Sequence, residues 1–164
     1  MSLDVFSPSL APLVGQDFVF MGDYAKWVKP MIYRFGNGPS SLRSEIPALI
    51  NELGAYLALE ENEVLDWVGS QIEELRNLSL KQIEKSVTLN FMQTEIRKAV
   101  HLFSETPVYL GLETVSIPGV MEIKPQHVKE ILDIGIDAGV NGYVLSWDLL
   151  HTPIENVLPI KGLI

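Results

Sequence analysis

The stretch Gly139-Val140-Asn141-Gly142-Tyr143-Val144-Leu145-Ser146-Trp147-Asp148 decides the fold. It opens on glycine, passes through a run rich in aromatic and β-branched residues, and ends polar. Glycine at the end of a helical pattern is a stop, because it adopts the left-handed conformation without a Cβ clash. The apolar run beyond it reads as a strand. Upstream, Pro125 suits a first helical turn, and Val128, Ile131, Leu132 and Gly135 recur along one face. Before that helix stands a second apolar run, Pro107-Val108-Tyr109-Leu110-Gly111-Leu112-Glu113. Strand, helix, glycine stop and strand form a βαβ unit, whose two strands run parallel.

Two further runs of the same kind lie towards the N-terminus. They are Asp4-Val5-Phe6-Ser7-Pro8 and Lys26-Trp27-Val28-Lys29-Pro30-Met31-Ile32-Tyr33. The segment from Gly15 to Ala25 is short for a crossover but sufficient. The segment 36–105 is far too long for one, and its patterns predict a helical insertion of about three helices. Ser41 opens the first, over residues 42–56, with Ile46, Leu49, Ile50 and Leu53 on one face. The second covers 61–75. The third opens at Ser79, where Ser79 and Gln82 make a capping box, and runs to about Phe103 as the longest helix. No linker divides the chain, so residues 1–164 are expected to form a single domain, with 36–105 inserted between its second and third strands.

Composition excludes several functions. The apolar fraction is 47% and the mean hydropathy +0.19. Both are high for a chain of 164 residues, and strands buried on two faces account for the excess. No apolar stretch approaches the roughly 20 residues of a membrane span, and no basic segment leads into a hydrophobic run as in a signal peptide. The net charge of −9 and pI near 4.7 leave no basic stripe for nucleic acid, and they disfavour anionic membranes. With no cysteine, disulfides, thiolate catalysis and thiolate metal sites are excluded. His101, His127 and His151 have no metal-ligand spacing, and no cofactor motif is present, so neither metal nor cofactor is expected.

Two architectures accommodate four parallel strands with intervening helices. An open doubly wound sheet would carry a glycine-rich phosphate loop after its first strand. Here that position reads Ser7-Pro8-Ser9-Leu10-Ala11-Pro12. The other architecture is half of a (β/α)8 TIM barrel, whose functional residues cluster at the C-terminal ends of the strands. All four runs turn polar at that end. The half-barrel is therefore the expectation.

The runs Val28-Lys29-Pro30-Met31-Ile32-Tyr33 and Gly139 to Trp147 also resemble late strands of glycoside-hydrolase-like TIM barrels. In such proteins a Pro-Met-x-Tyr strand is sixth, a strand ending in Glu is seventh, and one ending in Trp is eighth. The resemblance implies that the chain carries strands five to eight, that its ligand is a carbohydrate, and that Glu113 is a nucleophile or acid/base. It also implies two departures. Chitinase-like barrels have Asp where this chain has Arg34, and the fourth strand, which supplies the acid/base Glu in the large retaining clan, is absent.

On the residues themselves, Glu113 ends an apolar strand, where a carboxylate needs pairing or a function. A structural ion pair with Lys29 or Arg34 is the alternative. Asp148 is the expected second carboxylate, since glycoside hydrolysis needs two, or else a cap for the following turn. Trp147 offers a flat face to a sugar ring. Lys29, Tyr33, Arg34 and Ser9 are expected to bind substrate. Lys29 could instead form a Schiff base, the chemistry of a barrel lyase. A third reading is a sugar-binding or assembly module without catalysis, closed by homodimerisation or by a missing N-terminal half-barrel, because a half-barrel leaves two strand edges open.

Overall fold

The protein was analysed as a computed structural model, which describes residues 1–38, 40–85, 87–145 and 148–163. The chain is mixed α/β. Its strands are β1 (Ser2–Phe6), β2 (Trp27–Met31), β3 (Tyr109–Leu112) and β4 (Gly142–Leu145). Between β1 and β2 lie a 3-10 turn over Ala11–Val14 and the short helix α1 (Phe18–Gly22). Between β2 and β3 come α2 (Leu42–Leu57), α3 (Glu61–Gln71), α4 (Leu80–Lys85) and α5 (Leu89–Leu102). Helix α6 (Pro125–Ala138) links β3 to β4, and α7 (Ile154–Val157) follows β4.

The strands are parallel, but they form two ladders of two rather than the continuous four-stranded half-ring expected from the sequence. Among the described residues no sheet closes: β1 pairs with β2 and β3 with β4, and one backbone bridge, Val28 to Val108, joins the two ladders. There Val28 N–H donates to Pro107 O at 2.9 Å. Backbone groups along a strand point to alternate sides, so residue 30 should make the next bond to β3. Residue 30 is proline and has no donor. The ladder with β1, which uses Lys29 and Met31, is untouched by this.

One face of both ladders packs on the helices. Val5, Val28 and Val108 are buried with Phe18 of α1 and Phe103 at the end of α5. Leu110 and Leu112 are buried with Ile46 and Ile50 of α2, Phe91 and Ile96 of α5, and Val128 and Ile131 of α6. At about 25 cal/mol per Å² of apolar surface, each such side chain contributes about 1.5–3 kcal/mol. This burial, rather than the short ladders, holds the strands in place.

The helix boundaries bear out the reading of 42–56 and of Pro125 to Gly139. Gly139 caps α6 in the left-handed conformation at φ 80°. The insertion differs in two respects: the second helix, expected over 61–75, stops at Gln71 before a 3-10 turn over Glu73–Leu75. The single long helix expected over 79–103 is two, because Thr88 starts a new one by accepting from Phe91 N–H at 3.1 Å, and α2 is the longest. Among its described residues the insertion therefore holds four α-helices. Trp67 is half exposed on α3.

The last segment folds back over the loop after β3. Asn156 is buried, and its amide donates to Thr114 O at 2.9 Å and Ile123 O at 3.0 Å. Ser116 N–H donates to His151 O at 2.8 Å. These bonds pin the segment that carries Glu113 and Thr114.

Candidate functional site

The opposite face of the ladders carries Trp27, Lys29, Met31, Tyr33, Tyr109, Gly111 and Val144, by the period of two along a strand. It opens into a cleft of about 720 Å³ that runs into the loops at the C-terminal ends of β2 and β3. Its lining is mixed: Asp4, Lys29, Tyr33, Asn37, Ser41 and Glu113 are polar, and Met31, Val120, Met121, Val144 and Leu145 are apolar.

Asp4 and Lys29 are partners in the parallel register, and that register makes their ion pair, Nζ to Oδ2 at 2.8 Å. The Lys29 side chain is only 16% exposed. Burial pushes its ammonium down, while Asp4 and Tyr33 push it up, and the net effect is upward from the ordinary lysine value. Lys29 thus stays protonated at neutral pH, which opposes the Schiff-base reading. Beside it, burial raises the Tyr33 phenol above its ordinary value against the pull of Lys29, so Tyr33 keeps its proton and is a donor. The Tyr33 ring lies across Gly111: a Cβ at that glycine would stand 2.8 Å from the Tyr33 hydroxyl and 2.9 Å from Cε1. Only glycine at 111 leaves room for it.

Glu113 is buried at 7% exposure. It pairs with neither the Lys29 nor the Arg34 side chain. Its Oε2 accepts from Arg34 N–H at 2.6 Å, and its Oε1 from Phe35 N–H at 2.9 Å and Gly36 N–H at 2.8 Å. The carboxylate is therefore a clasp between β3 and the loop after β2. Burial pushes its carboxyl above the ordinary value, and the three N–H donors offset part of that. The rest of the loop is tied as well. Ser41 Oγ donates to Gly36 O, Arg43 donates to Phe35 O at 3.0 Å, and Leu42 N–H donates to Tyr33 O at 2.9 Å.

Lys29, Tyr33 and Glu113 are thus brought together, and the other expected site residues are placed elsewhere. The Arg34 guanidinium donates to Val87 O at 2.8 Å, contacts Glu130 at 3.3 Å and lies over the Phe35 ring. Ser9 is held by Glu95, with N–H to Oε2 at 2.8 Å and Oγ to Oε1 at 2.7 Å. Asp148 caps the turn after β4 through Leu150 N–H at 2.9 Å and contacts His151 Nδ1 at 2.6 Å. The His151 contact holds its carboxyl below the usual value. None of these three lines the cleft. Trp147 lies outside the described residues.

Two carboxylates escaped the sequence reading. Asp4 lines the cleft, and its signal was the Lys29 directly across the ladder. Glu95 is fully buried and also accepts from Lys98 at 2.9 Å. Its signal was a Glu within the apolar stripe of Phe91, Met92, Ile96 and Ala99. Each of the first two loops is therefore held by a buried glutamate accepting backbone N–H groups.

No protein-family model matches the chain, and no curated protein matches it. The site therefore has to be read from its own chemistry.

Proposed function

We propose that the chain is the carbohydrate-binding half of a (β/α)8-type barrel, a binding element rather than a hydrolase when alone. The cleft carries this reading. Its polar side chains offer donors and acceptors, and apolar side chains stand among them, which suits a pyranose with hydroxyls at its rim and C–H groups on its face. Its position at the C-terminal ends of parallel strands, on the face away from the helices, is the position of a barrel mouth. The order β1-β2-β3-β4 follows the order of the chain, as in a barrel.

Hydrolysis needs two carboxylates flanking the bond, with an oxygen free to attack or to carry a proton. Both oxygens of Glu113 accept backbone N–H groups, and Asp148 faces His151. A second reading, hydrolysis once the barrel is completed, rests on Asp4 and Glu113 lining the same cleft. The completing half is an N-terminal half-barrel or a second copy of this chain. For the latter, exposed Leu13, Val19 and Phe20 follow the outer strand β1, and exposed Leu149, Leu150 and Ile154 follow the outer strand β4.

Calorimetry with p-nitrophenyl pyranosides tests the binding reading: saturable heat without release of nitrophenol is expected. Turnover that disappears in Glu113→Gln would favour hydrolysis instead, and absence of binding by every pyranoside would remove both. Light scattering that finds only monomer excludes closure by a second copy.

A further inference from the structure

Asp4, Lys29 and Tyr33 line the cleft together, with the Tyr33 ring over Gly111, and their order is informative. Asp4 fixes Lys29 at 2.8 Å. Lys29 in turn lines the same cleft as Tyr33 and interacts electrostatically with its phenol. An ammonium has no acceptor, so Lys29 can only donate towards the Tyr33 oxygen and cannot take its proton. The Tyr33 proton is then free to point elsewhere. Two features set the position of the ring at the cleft. Gly111 leaves the space it occupies, and the Glu113 clasp fixes the backbone of the three residues that follow Tyr33.

We infer that Tyr33 is the specificity-determining donor of the cleft, giving its proton to a neutral ligand oxygen, with Asp4 and Lys29 orienting it and Gly111 making room for it. The inference rests on the carbohydrate-binding reading and extends it to a ligand class. Asp4 neutralises Lys29, and Glu113 adds a second carboxyl nearby, so an anionic ligand gains no net attraction. An uncharged ring or hydroxyl oxygen that accepts one hydrogen bond is what the arrangement fits. A charged donor next to the tyrosine strengthens the bond it makes, because hydrogen bonds in a chain polarise one another.

The test uses the whole chain labelled with 3-fluorotyrosine and a panel of p-nitrophenyl pyranosides, read by fluorine NMR and calorimetry. Tyr33→Phe assigns the Tyr33 resonance and keeps the ring over Gly111. The expected result is that the probe that binds shifts the Tyr33 resonance, and that Tyr33→Phe weakens its binding about tenfold, the loss of one good hydrogen bond. Gly111→Ala, which displaces the ring, should weaken the same probe at least as much and serves should Tyr33→Phe fail to fold. Binding that persists within twofold in both variants, with the Tyr33 resonance unmoved, overturns the inference and leaves the cleft reading intact. No binding by any probe overturns the cleft reading and the role of Tyr33 with it. A uronic acid glycoside that binds more tightly than its neutral counterpart also overturns the ligand class.

Discussion

Replacing Glu113 by glutamine keeps the shape of the side chain but lets it accept at only one end. The amide oxygen can take the Oε1 position and accept from Phe35 and Gly36. The NH2 group then faces Arg34 N–H, where the carboxylate accepted at 2.6 Å. A buried donor without an acceptor costs about 1–3 kcal/mol, and here two donors oppose each other, so the upper part of that range is expected. Glu113→Ala leaves three N–H groups without their acceptor and should cost about 3–5 kcal/mol, reduced from the simple sum by water entering from the cleft. Urea unfolding followed by circular dichroism gives both values. The pH dependence is the sharper test. Burial raises the folded-state value of Glu113, so the folded chain binds this proton more tightly than the unfolded one. Its contribution to stability is fully present below the ordinary carboxylate value of about 4.3 and is lost as pH rises through the raised folded value. The gap between wild type and Glu113→Gln should therefore narrow with rising pH, by about 1.4 kcal/mol for each pKa unit of elevation. A gap that widens instead would mean that the three N–H donors outweigh burial, and would refute the reasoning.

Further outcomes follow from other parts of the fold. Glu95→Ala removes a fully buried acceptor of Ser9 N–H and Oγ, while the partly exposed Lys98 keeps Ser9 Oγ; unfolding in urea should report a loss of about 1–3 kcal/mol. Thr88→Ala deletes the cap that splits α4 from α5 and should cost about 1 kcal/mol in the same assay. Pro30→Val restores a donor facing β3, so hydrogen exchange should find the new amide at residue 30 protected; an amide that exchanges at the unfolded rate would refute the account of the broken ladder.

The parallel strands and the last crossover were legible because their signals are local. Gly139 stops a helix wherever it stands, and Pro125 starts one. The ladder break was harder to foresee. Pro30 was visible in the sequence, but which neighbour its missing donor would face depends on register, and register is set by the packing of both ladders. The start of a new helix after Thr88 had a signal in Thr88 itself, a good cap, which the amphipathic pattern on either side concealed. In the site, Glu113 drew notice as a carboxylate ending an apolar run. Its partners did not, because backbone N–H groups carry no sequence signature. Asp148 and Arg34 stood at the right distance past their strands, yet other partners claimed both, a local cap in one case and the distant Val87 carbonyl with the Phe35 ring in the other. Strand-end position marks where a side chain starts and does not fix where its polar atoms finish.

Pro30 gives the sheet a seam. Along it the two ladders are joined by one backbone bridge low on the strands and, higher up, by the side chain of Glu113. The cleft lies astride that seam, with Asp4 and Lys29 on one bank and Glu113 and Val144 on the other. Anything seated there acts as a suture, adding cross-links that the proline withholds. Occupancy would then register as slower opening between the ladders as well as heat, and the fit of the ligand would depend on how far apart the two banks can stand.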